Sequence, residues 1–188
     1  MRLAVRYIDY LLRLHGRIFE FSQDPEIILR LQLMPAPHSV TIGNLMISRG
    51  DPILALHVWN ERMPKIPLSG ADLPWALQLR HRLIRSFSAI AQVMQEYTRY
   101  DQIRALYGES ALFSFSGHAG GRQMMQHLGF TVLPYYRPLG HFGEFWENLF
   151  SWSMMWSFNT ASLYTRAFWR LQRSEIWITR SDFLRRFD

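Results

Sequence analysis

The stretch 44–64, NLMISRGDPILALHVWNERMP, constrains the fold more than any other part of the chain. Its pattern predicts one strand, a tight turn and a second strand, because Gly50 can adopt positive φ and Pro52 suits the start of a strand. Side chains alternate between the two faces of a strand, and both faces of 53–58 are largely apolar. We therefore expect 53–58 to form an interior strand that pairs, through this turn, with a first arm at 40–47.

The end of the predicted second strand collects several functional groups within a few residues. These groups are an imidazole, an indole, an amide, a carboxylate and a guanidinium, at His57, Trp59, Asn60, Glu61 and Arg62. One hypothesis assigns His57 as a general base, Asn60 as a substrate-positioning group and Glu61 as an orienting carboxylate. His57 and Asn60 point to opposite faces of a continuous strand, so the hypothesis needs the strand to end or bend between them. A histidine in an apolar strand is more often a hydrogen-bonded core residue, and that interpretation stays open.

Cysteine is absent from the 188 residues, which excludes disulfides, thiolate zinc sites and thiol nucleophiles. The length suits one domain, and no linker rich in proline, glycine or serine divides it. The net charge of +6 comes almost wholly from arginine, since Lys65 is the only lysine. This bias reflects either overall composition or the use of guanidinium groups to pair with phosphate and carboxylate. The arginines are scattered along the chain, so nucleic acid is not an expected partner.

The glycine-rich segment 117–121, GHAGG, is expected to join a strand at 110–116 to a helix at 122–128. Such a junction is a generic anion site, because free backbone N–H groups point outward at a helix start, and His118 is a candidate ligand-binding residue there. Neither Walker A nor GxGxxG spacing is present, and LGF at 128–130 follows the glycines too closely for an acetyl-coenzyme A loop. HExxH and GxSxG are missing as well. We therefore predict no cofactor and no metal site.

The remaining segments predict helices and short strands around this sheet. Asp72 precedes a proline at the start of a helix over 74–97, whose polar face presents Arg80 as a ligand-binding residue if it borders a pocket. A short strand at 175–178 is followed by a last helix that Thr179 caps. The predicted class is α+β: a single domain in which a mixed or antiparallel sheet, built on the central hairpin, carries helices mainly on one side.

Two apolar segments raise the question of a membrane. In 2–14 the polar residues form one narrow helical stripe beside a broad apolar face, and 141–171 is rich in aromatic residues. Each segment is core, a homodimer interface or a surface that docks on an anionic membrane, and 141–171 has the further alternative of walling an apolar ligand cavity. No apolar run is long enough to span a bilayer, and the amino terminus lacks a signal-peptide cleavage pattern. The expected location is the cytoplasm, either free or at the inner face of the membrane.

The strings GDPILALHVWNERMP at 50–64 and EIWITRSDFLRRF at 175–187 resemble the YkoP-like bacterial domain. That family is similar in its glycine turn, an apolar strand ending in Leu-His, a nearby asparagine, and a carboxy-terminal strand that leads into a short helix. It occurs alone or joined to polysaccharide deacetylases and other envelope-glycan enzymes. The resemblance implies a role in cell-envelope glycan or lipid metabolism and carries over His57, Asn60 and Glu61 as site residues. The deacetylase activity of such fusions does not carry over, since these 188 residues contain no such domain.

The sequence supports two functional expectations. The first is a bacterial accessory or binding protein that holds a lipid-linked or glycan-phosphate ligand in a pocket at the 57–62 strand end. The ligand-binding side chains expected for it are Trp59, Arg62, Arg80 and His118. The second is a small transferase or hydrolase that uses His57 as general base.

Overall fold

A computed structural model describes residues 2–67, 70–110, 120–136 and 173–188, with single residues and pairs between 140 and 157. The described helices and strands are α1 (Arg2–His15), β1 (Leu29–Pro35), β2 (Val40–Ile42), β3 (Leu45–Ile47), β4 (Pro52–Val58), α2 (Leu73–Glu96), β5 (Ala105–Ser110), α3 (Gly120–His127), β6 (Thr131–Pro134), β7 (Ser174–Thr179) and α4 (Arg180–Phe187). The strands form a five-stranded sheet and a separate two-stranded sheet, and the described residues between 140 and 157 are helical as well. The predicted α+β class is confirmed.

The five-stranded sheet is mixed and has the order β1-β4-β5-β7-β6. β4 runs antiparallel to β1 and parallel to β5, and β7 runs antiparallel to both β5 and β6. The prediction that 53–58 is an interior strand is confirmed, since β4 has a neighbour on each side. Its apolar character follows from this position, because both of its faces are covered.

The predicted pairing of 53–58 with the arm at 40–47 is wrong. That arm folds on itself as β2 and β3, in which Ile42 pairs with Leu45, and β4 instead pairs with β1 in the register Met34 to Ile53. The reversal within the arm uses Gly43, whose φ of 57° is accessible to glycine at little conformational cost. The dipeptide Gly-Asn between two short apolar runs is a hairpin signal that the longer alternation obscured.

Helices cover one face of the sheet, here called the helix face, as the sequence predicts. α2 begins where the Asp72 side chain accepts a hydrogen bond from the Trp75 backbone N–H at 2.9 Å. Its apolar stripe packs on β4, β5 and β7, and the Phe87 ring lies 5.8 Å from that of Phe183 on α4. Thr179 caps α4 by accepting from the Asp182 backbone N–H at 3.1 Å, which confirms the predicted cap.

The opposite face, here called the hairpin face, is covered by β2 and β3. Ile42 and Ile47 from this hairpin are buried with Ile53, Tyr107 and Trp177 from the sheet. The two faces therefore have separate apolar cores, one built with helices and one with a hairpin.

Some predicted elements fall outside the described ranges. β5 ends at Ser110, and 111–119, which includes the rest of the strand expected at 110–116 and the glycine loop, lies outside the described residues. The helix after that loop is confirmed as α3, and Gly129 ends it with a φ of 90°. The amino-terminal helix is confirmed as α1. Most of the aromatic segment at 141–171 lies outside the described residues.

Candidate functional site

Four ionisable side chains form a row across the hairpin face of the sheet: Arg30, His57, Glu109 and Glu175. Arg30 on β1 pairs with His57 on β4, and Glu109 on β5 pairs with Glu175 on β7. β4 and β5 are parallel with Leu56 beside Gly108, so the next residues along the two strands are His57 and Glu109. This ionisable row crosses four neighbouring strands near the carboxyl ends of β4 and β5.

The His57 ring is held in a neutral state. Its Nε2 lies 2.8 Å from Oε1 of Gln32 on the adjacent strand β1. Burial, and next the positive charge of Arg30, lower the pKa of His57 from its ordinary value of 6.5 to about 4. A neutral ring that donates from Nε2 to Gln32 carries its lone pair on Nδ1. The ring therefore offers one acceptor nitrogen at neutral pH.

Arg30 connects His57 to the chain that follows β4. Its side chain is only 5% exposed and lies 3.2 Å from Glu20 and 3.6 Å from Glu61, both of which are partly exposed. Burial lowers the pKa of Arg30, and the Glu61 charge opposes that effect. The structure therefore brings Glu61 to the ionisable row through Arg30.

The residues after β4 turn away from the strand. β4 ends at Val58, and Asn60–Arg62 forms a single 3-10 turn, so the strand does end between His57 and Asn60. Asn60 is half-buried, and its side-chain amide makes no hydrogen bond to any residue that the structure describes. Asn60 can therefore turn to a ligand without breaking a contact in the described part of the chain.

Trp59 and Arg62 have structural contacts. The guanidinium of Arg62 lies 3.3 Å from the centre of the buried Trp59 ring, and that of Arg30 lies 4.2 Å from it. Nη1 of Arg62 also donates to the backbone carbonyl of Asp24 at 2.6 Å. These contacts fix the loop before β1 against the end of β4, and the indole offers little free surface to a ligand.

The two other predicted binding residues, Arg80 and His118, are not described as part of the ionisable row. Arg80 is exposed on α2, which covers the helix face, whereas His57 points to the hairpin face. Arg80 therefore does not approach the ionisable row. His118 lies outside the described residues.

Two carboxylates of the row were not identified from the sequence. Glu109 is partly exposed, and its Oε2 accepts a hydrogen bond from the Tyr107 hydroxyl at 2.8 Å. Burial and the nearby Glu109 charge raise the pKa of Tyr107, so its hydroxyl stays protonated. In the sequence, Glu109 is only a single acidic residue in the run ALYGES. Such a residue is equally typical of an exposed position at the end or edge of a strand.

Glu175 is the most deeply buried member of the row, at 1% exposure. Its Oε1 accepts from the Tyr136 backbone N–H at 2.8 Å, and its Oε2 accepts from the Trp177 indole at 2.9 Å. The same Oε2 lies 2.9 Å from Nε2 of His38, whose ring lies 4.7 Å from the Tyr136 ring. A buried carboxylate with three partners of this kind ties the loop before β2 to β7.

A small apolar cavity opens at the same strand ends, on the helix face. Its volume is about 20 Å³, which is room for one or two water molecules. Its lining is apolar apart from Glu109 and consists of Ile28, Leu29, Leu56, Val58, Met63, Leu79, Leu83, Phe87, Gly108, Glu109, Met125 and Ile176. Glu109 is thus the residue that the cavity shares with the ionisable row.

Within the described ranges, no three His, Asp or Glu side chains are grouped so that they could hold a metal ion. In the same part of the chain, no helix combines the length and the apolar character that crossing a bilayer requires.

Comparisons with other proteins place the chain in a family. Neither the curated proteins nor the solved structures contain a match to it. The family model described as the YkoP domain matches residues 6–187, nearly the whole chain. With the glycine turn, the interior strand ending in Leu-His and the terminal strand–helix pair all in place, the chain belongs to the YkoP domain family.

Proposed function

We propose that this protein is a bacterial accessory or binding protein of cell-envelope glycan or lipid metabolism. It holds a ligand with an apolar and an anionic part, such as a lipid-linked or glycan phosphate, at the carboxyl ends of β4 and β5. The observation that carries the proposal is the ionisable row on the hairpin face near these strand ends, where Arg30 supplies a cation and His57 and Asn60 supply uncharged polar groups. In parallel sheets ligands bind outside the carboxyl ends of strands, and β4–β5 is the parallel pair among the described strands.

Arg30 is the residue best suited to the anionic part. Its Nη1 lies 3.6 Å from Glu61, which is longer than the roughly 2.8 Å of a charge-assisted hydrogen bond. Glu61 is partly exposed, so a phosphate can take its place beside Arg30 while Glu61 returns to solvent. The neutral His57 ring and the unbonded amide of Asn60 add uncharged polar contacts to such a ligand.

The location that fits this role is the cytoplasm, at the inner face of the membrane. Lipid-linked glycan precursors present their phosphate groups at that surface, within reach of a peripheral protein. The net charge of +6 favours association with an anionic leaflet.

Native mass spectrometry and calorimetry with a polyprenyl phosphate, a sugar phosphate and an anionic phospholipid test the proposal. We expect at least one phosphate ligand to bind, and Arg30→Gln to weaken that binding by roughly tenfold or more. Arg80→Gln is the matched control, because this arginine is exposed and lies on the helix side. Failure of all three ligands to bind, or equal losses in the two variants, would contradict the proposed site.

The second candidate function is a small transferase or hydrolase in which His57 is the general base. The observation that favours it is the hydrogen bond from Nε2 to Gln32, which orients the ring and leaves Nδ1 as the acceptor nitrogen that a base needs. Glu61 would act through Arg30, and Asn60 would position the substrate. Activity on ester or glycoside substrates should be lost in His57→Gln and kept in the control His81→Gln, since His81 is exposed on α2. Equal activity in both variants would exclude this role for His57.

A further inference from the structure

Helix α1 has its apolar side chains exposed. Tyr7, Ile8, Tyr10, Leu11 and Leu14 are between 45% and 62% exposed. Residues 7, 11 and 14 form one stripe along a helix, and residues 8 and 10 flank it. Single exposed apolar residues are normal on a protein surface, but five on one helix face form a continuous patch.

On the other side of α1, Arg13 faces the protein. Arg13 is 22% exposed and its Nη1 lies 3.5 Å from Oε1 of Glu20, in the segment that leads to β1. Glu20 in turn pairs with Arg30 of the ionisable row. A surface helix normally packs its apolar face on the domain and presents its charges to water. In α1, Arg13 pairs with the domain while the apolar patch is exposed, which calls for a partner outside the part of the chain that the structure describes.

We infer that α1 is a membrane-docking helix that inserts its apolar face into the surface of an anionic bilayer. The inference rests on the proposed function for the location of the protein at the inner membrane face. It adds the surface that makes the contact and the chemistry of the partner. With the apolar face in the acyl boundary and the Arg13 side towards the domain, the helix lies flat between the bilayer and the protein.

Charge and side-chain type both favour an anionic bilayer as the partner. α1 contains three arginines and one aspartate, and the exposed Arg17 follows directly after its last turn. Arg17 is placed to reach the lipid headgroups from the end of a flat helix, and the net charge of +6 adds to that attraction. Tyr7 and Tyr10 are amphipathic rings, which are favoured at the boundary between headgroups and acyl chains.

The area of the patch does not favour a second copy of this chain. Five side chains that are about half exposed present roughly 500 Å², whereas a stable interface buries about 800 Å² on each partner. A helix at a bilayer has no such threshold, because its binding grows with each side chain inserted and with the charge of the lipid. The patch is thus large enough for reversible attachment and small for a dimer.

Co-sedimentation with vesicles tests the inference. The vesicles are phosphatidylglycerol with phosphatidylcholine, or phosphatidylcholine alone, and the altered protein carries Tyr7→Glu and Leu11→Glu. The matched control carries Leu73→Glu and Leu77→Glu, two leucines at the start of α2 that have the same spacing and are 71% and 57% exposed. Both pairs exchange two exposed apolar groups for two charges, so they have the same effect on net charge.

We expect the unaltered protein and the α2 control to bind the phosphatidylglycerol vesicles, with binding weakened by salt. The α1 variant should lose roughly tenfold or more of its vesicle affinity while its circular dichroism and melting temperature stay close to those of the control. Equal binding by the two variants overturns the inference. The inference is also overturned if the unaltered protein does not bind vesicles but forms a dimer in sedimentation velocity, and only the α1 variant loses that dimer. The α1 variant should keep the affinity of the unaltered protein for a soluble sugar phosphate, which tests the phosphate site without a bilayer, so the two proposals fail separately.

Discussion

Acidification should destabilise the folded chain through His57. The ordinary pKa of 6.5 applies to the unfolded chain, whereas burial lowers the pKa of the folded ring to about 4. Between these values the unfolded chain binds a proton that the folded chain excludes, so the free energy of unfolding falls as the pH falls. A gap of roughly 2.5 in pKa corresponds to at most about 3 kcal/mol, which is fully present above pH ~6.5 and lost by pH ~4.

Urea unfolding of the protein and of His57→Gln across this pH window measures the effect. The difference between the two curves isolates His57, because other acid-sensitive groups contribute to both proteins. Asp24 is one of them: the backbone N–H of Glu26 lowers its pKa, so its contribution is lost only at more acidic pH. We expect the loss between pH ~6.5 and ~4 to be smaller in the variant by up to about 3 kcal/mol. A His57 ring that titrates near its ordinary pKa by NMR, or parallel curves for the two proteins, would refute the reasoning.

Three further substitutions test structural roles by thermal and urea unfolding. Glu175→Ala leaves three partners without their acceptor and should lower the free energy of unfolding by about 3 to 5 kcal/mol. Glu109 is the partly exposed register neighbour of Glu175, and Glu109→Ala should lower it by only about 1 kcal/mol. Equal losses in the two variants would contradict the argument from burial. Arg62→Met removes the donors to two loop carbonyls and should lower the free energy of unfolding by about 1 to 3 kcal/mol. Arg80 is exposed, so Arg80→Met should change it by less than about 0.5 kcal/mol. An unchanged stability in Arg62→Met would mean that this arginine contacts a ligand instead. Thr179→Ala removes the cap of α4 and should cost about 1 kcal/mol, and Thr179→Ser should restore most of it.

The features that the sequence predicts well depend on neighbours in the chain. The start of α2 at Asp72 and that of α4 at Thr179 follow from caps within three residues of the helix. The turn at Gly50 and the interior position of β4 follow in the same way from local conformation and from apolar faces. Short-range geometry decides all of these.

The pairing of strands and the makeup of the site depend on distant parts of the chain. β4 pairs with β1 although β2 and β3 lie between them, because the reversal at Gly43 removes that arm from the sheet. Glu175 joins the ionisable row only because β7 enters the sheet beside β5. His57 could be named from its strand, but its neighbours Arg30 and Glu109 follow from strand order, which no local pattern encodes.

The position of β7 has a consequence for synthesis of the chain. β7 lies between β5 and β6, and it is synthesised after both. The antiparallel partner of Ala105, for example, is Thr179. As the chain leaves the ribosome, β5 and β6 each keep an unpaired apolar edge until 174–179 has emerged. The nascent protein is therefore exposed to aggregation and to chaperone binding while the residues between β5 and β7 are synthesised. A truncation within 174–179 should leave a chain that cannot close its sheet at all.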